Sequence, residues 1–272
     1  MRSYNVKITR EPIQEERSFR NSRVKTLVPP KVDLRPYCPP VYNQGSLGSC
    51  TANALCAAHS MCDPDITGSR LFLYYNIRLY TGNVDVDTGA SIFDGVRSME
   101  KYGICKEMSF PYIIANFQKA PPPPCYEEAL NHKAIQVRQV ENEIQEMKQC
   151  LASGLPIVCG IQIYSSFESP SVDLMGIADL PKEGDSLLGG HAILVVGYDD
   201  ATQRFNVRNS WGMFWGDQGY FTIPYEYLLS DKYCSDLWVI EKVTEDPKDE
   251  TLPARCLNCM FPFLQSCRTG LV

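Results

Sequence analysis

Three polar residues, each beside a glycine or in a glycine-containing turn, lie far apart in the chain and constrain it more than any other feature. They are Cys50 at the end of Asn43-Gln44-Gly45-Ser46-Leu47-Gly48-Ser49-Cys50, His191 in Gly190-His191-Ala192, and Asn209 in Arg208-Asn209-Ser210-Trp211-Gly212. His191 follows Cys50 by 141 residues and Asn209 follows His191 by 18. A thiol works as a nucleophile only as thiolate, with a base in hydrogen-bond reach and a third group to orient that base. If the three act together, the fold must bring early and late segments to one shared cleft. Singly, each residue has a plainer reading. A buried cysteine opening a helix is a small core hydrophobe, a histidine after two glycines is a strand residue, Asn209 to Gly212 is a turn, and Gln44-Gly45 is a surface loop. Only their joint order and spacing argue for chemistry.

The chain can support such a fold. With 272 residues, 44% of them hydrophobic, it can bury a large core as one domain or as two lobes sharing a cleft. A net charge of −6 and a pI near 5.2 supply no basic face for nucleic acid or an anionic membrane surface, so neither is expected as a partner. Met1 to Arg10 alternates polar and apolar residues without a signal-peptide core, and no run of 18 apolar residues occurs. The expectation is a soluble protein, intracellular at synthesis, with a virion or host compartment open as its later site.

Of the twelve cysteines, eleven remain once Cys50 is set aside, so they cannot all pair within one molecule. An intramolecular disulfide is left open. Cys256, Cys259 and Cys267 have no nearby histidine and fall one ligand short of a structural zinc site, so no metal and no cofactor is expected.

Along the chain, residues 1–28 are polar and charged and have little core to bury, which makes them an arm. Ser49 to Met61 is small and apolar without Gly or Pro, predicting a buried helix that starts at the cysteine. Leu71 to Arg78 and Ile92 to Met99 read as further helices. Pro121 to Pro124 reads as a crossing loop, neither helix nor central strand. Beyond it, 134–140 alternates as a strand and 143–152 as a helix, followed by strands at 156–164, 191–198, 203–209 and 219–223. Residues 243–272 form a cysteine-rich extension.

Gln44, Gly48-Ser49-Cys50, His191, Asn209-Ser210-Trp211-Gly212 and Trp215-Gly216, in this order, resemble the papain family of C1-type cysteine peptidases. The leucine-glycine-serine-cysteine form is similar to the short-pro-region bacterial and viral members, and a cathepsin-B-like protease of a large virus is one relative this suggests. Leu47 and Thr51 depart from the usual cysteine and aromatic at those places. The resemblance covers roughly residues 29–242 and implies an α+β, papain-like two-lobed fold. A helical left lobe and an antiparallel, β-barrel-like right lobe would flank the active-site cleft. It implies a pro-region-like arm at 1–28, with Val28 to Arg35 as the start of the mature enzyme, and a peptidase domain at 29–242.

It also implies roles. A Cys50 thiolate would attack the peptide carbonyl, its pKa lowered by the helix N-terminus and by a protonated His191. Asn209 would orient His191 under the shield of Trp211, and Gln44 with the Cys50 N–H would form the oxyanion hole. Gly89 and Ala90 resemble the loop that pairs with an extended substrate. Trp238 and Val239, with Ile240, resemble the wall of the main specificity pocket and imply an apolar P2 side chain, Asp236 being the one carboxylate nearby. Relatives carry a disulfide from the position of Leu47 to the glycine-rich loop, and both of its cysteines are absent here. Expected partners are protein or peptide substrates and the chain's own arm as inhibitor, with Tyr4 to Ile8 pairing beside Gly89. His59 would lie about 13 Å from Cys50 along the same helix, and His132 stands alone, which argues against a paired-histidine exopeptidase loop. A deamidase or acyltransferase would use the same thiolate, and a catalytically dead binding protein would lack Cys50, His191 or Gln44, all of which are present.

Overall fold

The computed structural model describes residues 4–7, 12–21 and 27–244. The C-terminal cysteines Cys256, Cys259 and Cys267 lie outside the described residues, as does Ile8 of the arm.

Three helices form one side of the molecule: α1 (Cys50–Cys62), α2 (Arg70–Tyr80) and α3 (Ile92–Lys101). Helix α1 is buried along nearly its whole length, as its alanine-rich sequence predicts. Helices α2 and α3 start at Ser69 and Ser91, whose hydroxyls accept the N–H groups of Phe72 and Asp94. The proline run departs from expectation. Its first half is extended, but α4 (Pro123–Ala129) begins inside it, with Pro123 and Pro124 in its opening turn. There the missing N–H has no helical partner to lose and the fixed φ suits the helix.

The other side is a sheet of β2 (Ala134–Val140), β3 (Ile157–Tyr164), β4 (Leu187–Asp199), β5 (Arg204–Arg208), β6 (Tyr220–Pro224) and β7 (Cys234–Val243). The order is β2-β7-β3-β4-β5-β6, and β1 (Lys31–Asp33) pairs with the end of β4. All of these pairings are antiparallel. Helix α5 (Ile144–Ala152) flanks the sheet, and the short helices α6 (Pro170–Met175) and α7 (Tyr225–Leu229) sit in its connections. The fold is therefore α+β as expected, but the sheet is open and does not close into a barrel. Its end strands β2 and β6 are not paired with each other.

Two features of this sheet position the site. Helix α1 packs against β4, bringing the Cys50 end of the helix to the strand that carries His191. Strand β4 is long, and its two halves have different neighbours. β3 covers Leu187 to Val195, whereas β5 pairs only with Leu194 to Asp199. One edge of β4 beside His191 thus has no strand of the sheet on it, and such an edge invites an added chain.

No helix among the described residues is long and apolar enough to cross a membrane. The described cysteines, Cys50 among them, are all free thiols.

Candidate active site

Cys50 is the first residue of α1 and is fully buried. Ser49 caps no N–H with its side chain, so the first-turn N–H groups remain available to a negative sulfur. His191, also fully buried, meets Asn209 with Nε2 to Oδ1 at 2.9 Å. The Asn209 oxygen accepts the backbone N–H of Ser210 as well, at 2.8 Å. An oxygen can only accept, so Nε2 carries the proton and the donating tautomer is fixed by this contact. Trp211 lies against the imidazole, ring centres 4.9 Å apart and planes tilted by 31°. It covers one face of the ring beside the histidine–asparagine bond.

Gln44 is tied to the same region by backbone as well as side chain. Its N–H donates to the Ser210 carbonyl at 2.8 Å, Asn43 bridges to Trp211, and Gly212 N–H donates to Tyr42. The buried Gln44 amide accepts from the Ser210 hydroxyl through Oε1 and donates from Nε2 to the Leu47 carbonyl at 2.9 Å. Those two bonds fix which end of the amide is nitrogen and leave its second hydrogen uncommitted to Leu47. Tyr112 donates to the Gln44 carbonyl at 2.9 Å and bonds the Ser49 hydroxyl. Ser210 and Tyr112 are site-supporting residues that the motif reading missed. Ser210 lay inside a quoted motif, but Tyr112 carries no local signal.

The thiol departs from expectation in one respect. Burial pushes Cys50 up from its ordinary value, opposed by hydrogen bonding from the backbone of Ala192 and Thr51 and from the Thr51 side chain. Removing water penalises the charged form, so burial works against the thiolate that the resemblance implies.

The arm lies along the same cleft. Asn5 bridges to Gly190, Val6 N–H donates to the Gly190 carbonyl at 3.1 Å, and Lys7 N–H donates to the Ala90 carbonyl at 3.1 Å. Successive N–H groups of an extended chain point to opposite sides, so residues 5–7 span both walls of the cleft. Gly89 has φ +69°, and a Cβ there would lie 1.6 Å from the Asn5 carbonyl oxygen. Only glycine permits this approach. Tyr4 sets its ring edge-on to His191 and Trp211. A second part of the arm docks elsewhere. Phe19 is buried in the core, Ser18 bridges to Gln139 on β2, Arg17 pairs with Glu100 and Arg20 with Glu146.

Trp238 and Val239 lie on β7, both buried. The Trp238 indole donates to Asp236 Oδ1 at 2.6 Å and stands against Phe93, ring centres 6.1 Å apart. Asp236 Oδ2 also accepts the Phe93 backbone N–H at 3.3 Å. Phe93, which no motif marks, thus packs with Trp238 and Asp236. The two other histidines are brought together away from the cleft. His59 Nε2 meets the His132 carbonyl at 3.1 Å, and His132 Nδ1 meets Asp63 at 3.2 Å, at the far end of α1 from Cys50.

The papain family cysteine proteases match residues 28–234. The chain is 37% identical over 227 residues to an uncharacterized peptidase C1-like protein of Acanthamoeba polyphaga mimivirus, covering 76% of this chain and 73% of that protein. Among solved structures it is similar to xylellain, a cysteine protease from Xylella fastidiosa. The TM-score is 0.78 and the identity 36%, over 90% of this chain and 97% of that one. Digestive procathepsin L 3 of Tenebrio molitor shares the fold at TM-score 0.62 and 19% identity, over 86% of this chain and 76% of that one.

Proposed function

This chain belongs to the papain family of cysteine proteases and is a peptidase, and from that premise we propose that it is an endopeptidase built on Cys50, His191, Asn209 and Gln44 and held inactive by its own arm. The observation that carries the reading is the buried His191–Asn209 bond at 2.9 Å on the strand packed against the Cys50 helix.

In the reaction, His191 takes the Cys50 proton and the sulfur attacks the peptide carbonyl carbon. The carbonyl electron pair moves to oxygen, where the Cys50 N–H and the second Nε2 hydrogen of Gln44 stabilise it. Losing one such donor costs roughly 100- to 1,000-fold in rate. As the C–N bond breaks, His191 returns the proton to the leaving amine and an acyl-cysteine remains. Water, activated by His191, then releases the acid and restores the thiol. Asn209 keeps the imidazole turned throughout, and its neutral amide leaves the thiolate–imidazolium pair undisturbed.

Gly89, Ala90, Trp238 and Val239 would bind the non-primed part of an extended substrate, and Trp211 would flank the leaving side beside His191. Residues 1–28 act as the pro-region, 29–242 as the peptidase domain and 243–272 as an extension beyond it. The strand at 5–7 occupies main-chain acceptors that a substrate would need, which supports its inhibitory role.

The test is hydrolysis of a fluorogenic peptide by the full chain and by a Val6→Pro chain, together with labelling by a papain-class epoxide. Cys50→Ala and His191→Ala should each abolish turnover with the fold intact, and Asn209→Ala should be milder. Wild-type turnover by Cys50→Ala, with another cysteine labelled, would overturn the assignment.

A further inference from the structure

The segment before the nucleophile and the segment that faces a substrate are joined by a carboxylate that no motif marks. Asp87 lies in the loop leading to Gly89 and is half-buried. Its carboxylate accepts the backbone N–H of Gly48 at 2.9 Å to Oδ2 and 3.2 Å to Oδ1. It also accepts the hydroxyl of Tyr74 from α2, and that hydroxyl oxygen in turn accepts the N–H of Gly89 at 3.2 Å. An unbroken chain therefore runs from the Gly48 peptide through Asp87 and Tyr74 to the Gly89 peptide.

The chain is braced from below. Arg78 stacks its guanidinium on the Tyr74 ring at 4.3 Å and donates to the carbonyls of Val84, Val86 and Phe117, holding the loop that carries Asp87. On the other side of Gly48, Ser49 N–H donates to Leu47 at 2.8 Å and the Ser49 carbonyl accepts from Asn53. Gly48 is thus fixed two residues before the Cys50 N–H, and the remaining freedom of that peptide depends on Asp87.

We propose that Asp87 is a positioning residue that holds the oxyanion-hole loop in register with the substrate-pairing loop, through Gly48 on one side and Tyr74 and Gly89 on the other. The inference rests on the peptidase reading above. A charge-assisted bond is stronger than a neutral one, and the two loops come from opposite ends of a 39-residue span with no disulfide between them. A misplacement of about 1 Å at an oxyanion donor can cost on the order of 100-fold in rate. Asp87 touches neither the sulfur nor the imidazole, so its loss should spare reactions that need only the thiolate.

The experiment compares variants in the full chain carrying Val6→Pro. One readout is kcat and KM on a peptide amide, the other is the rate of Cys50 alkylation by chloroacetamide, which forms no oxyanion. Asp87→Ala should lower kcat tenfold or more, with alkylation within twofold of the parent. Asp87→Asn, which still accepts from Gly48, should recover most of the loss. Tyr74→Phe should lower kcat and add little on top of Asp87→Ala. An unchanged kcat in Asp87→Ala, or kcat and alkylation falling together, would overturn the proposal. If the parent hydrolyses no peptide, the peptidase reading of the site fails. Asp87 is then judged by amide hydrogen exchange at Gly48 and Gly89, where lost protection in Asp87→Ala and kept protection in Asp87→Asn supports the role and unchanged protection rejects it.

Discussion

Val6 donates its backbone N–H to the carbonyl of Gly190 at 3.1 Å, one residue before His191. Its neighbour Lys7 donates to Ala90 on the opposite wall. The arm is thus a strand added to the uncovered edge of β4, beside His191. Main-chain bonding gives such an added strand its hold with little regard to sequence.

Val6→Pro removes that donor and should raise hydrolysis of a small peptide several-fold or more in the full chain. It should also lower the pH midpoint for alkylation of Cys50. Burial raises the thiol, so in the parent the thiolate, and with it the alkylation rate, emerges only at higher pH. Rehydration should bring the midpoint down. Identical activity and identical midpoints in the two proteins would leave the arm without an inhibitory role.

The second anchor should matter through its aromatic residue more than its charges. Phe19 is 4% exposed, and burying such a side chain contributes roughly 1.5–3 kcal/mol. The Arg20 side chain is 58% exposed, and solvent screening leaves such an ion pair little to contribute. Phe19→Ala should therefore raise basal activity more than Arg20→Ala, because it lowers the effective concentration of the strand over the cleft. A larger effect from Arg20→Ala, abolished by added salt, would reverse that ranking.

For substrate preference, Asp236 is the residue that could favour arginine at P2, and its carboxylate already accepts from Trp238 and from Phe93. A branched or aromatic P2 side chain should be preferred. A fluorogenic library in which P2 arginine exceeds leucine or valine by tenfold would contradict this.

The histidine cluster predicts an acid-sensitive stability. Burial pushes His59 down to about 4, with Asp63 and the His132 carbonyl opposing. The unfolded chain would protonate this histidine near 6.5. Between those values the unfolded state binds more protons, so stability present above pH 6.5 is lost as pH falls toward 4. Burial pushes the Asp63 carboxyl up, but its hydrogen bond to His132 and the charges of His59 and His132 bring it net below 3.8, so its contribution is fully present above that value and is lost only at lower pH. Melting temperatures measured from pH 7 to 4.5 should fall, and His59→Gln should flatten the slope. An equal slope in the variant would place the sensitivity elsewhere.

The parts legible in the sequence are those that short-range rules govern. The helix at Cys50, the alternation of Ala134 to Val140 and the glycine at 89 all depend on local backbone demands and burial patterns. So does the motif order of Gln44, Cys50, His191 and Asn209. Two local rules reach less far than the sequence pattern suggests. Proline is excluded from a helix interior but not from its first turn, which is how α4 begins at Pro123. Likewise, strand alternation says nothing about whether the outer strands meet, and the sheet stays open.

The sequence by itself pointed to the groups proposed to react, because a cysteine, a histidine and an asparagine in that joint order and spacing argue for chemistry before any fold is drawn. It also determined that the arm could not form a core, since it has too few apolar residues to offset its ordering. Only the tertiary structure decided what those groups experience. The uncovered edge of β4 exists because β5 reaches back no further than Leu194, and Asp87 reaches Gly48 because α2 sets Tyr74 and Arg78 beneath its loop. Hydrogen bonds between residues 39 or 184 positions apart leave no periodic trace in the chain. Their partners are chosen by the packing of helices on a sheet, and the upward push on the Cys50 thiol follows from that packing through the water it excludes.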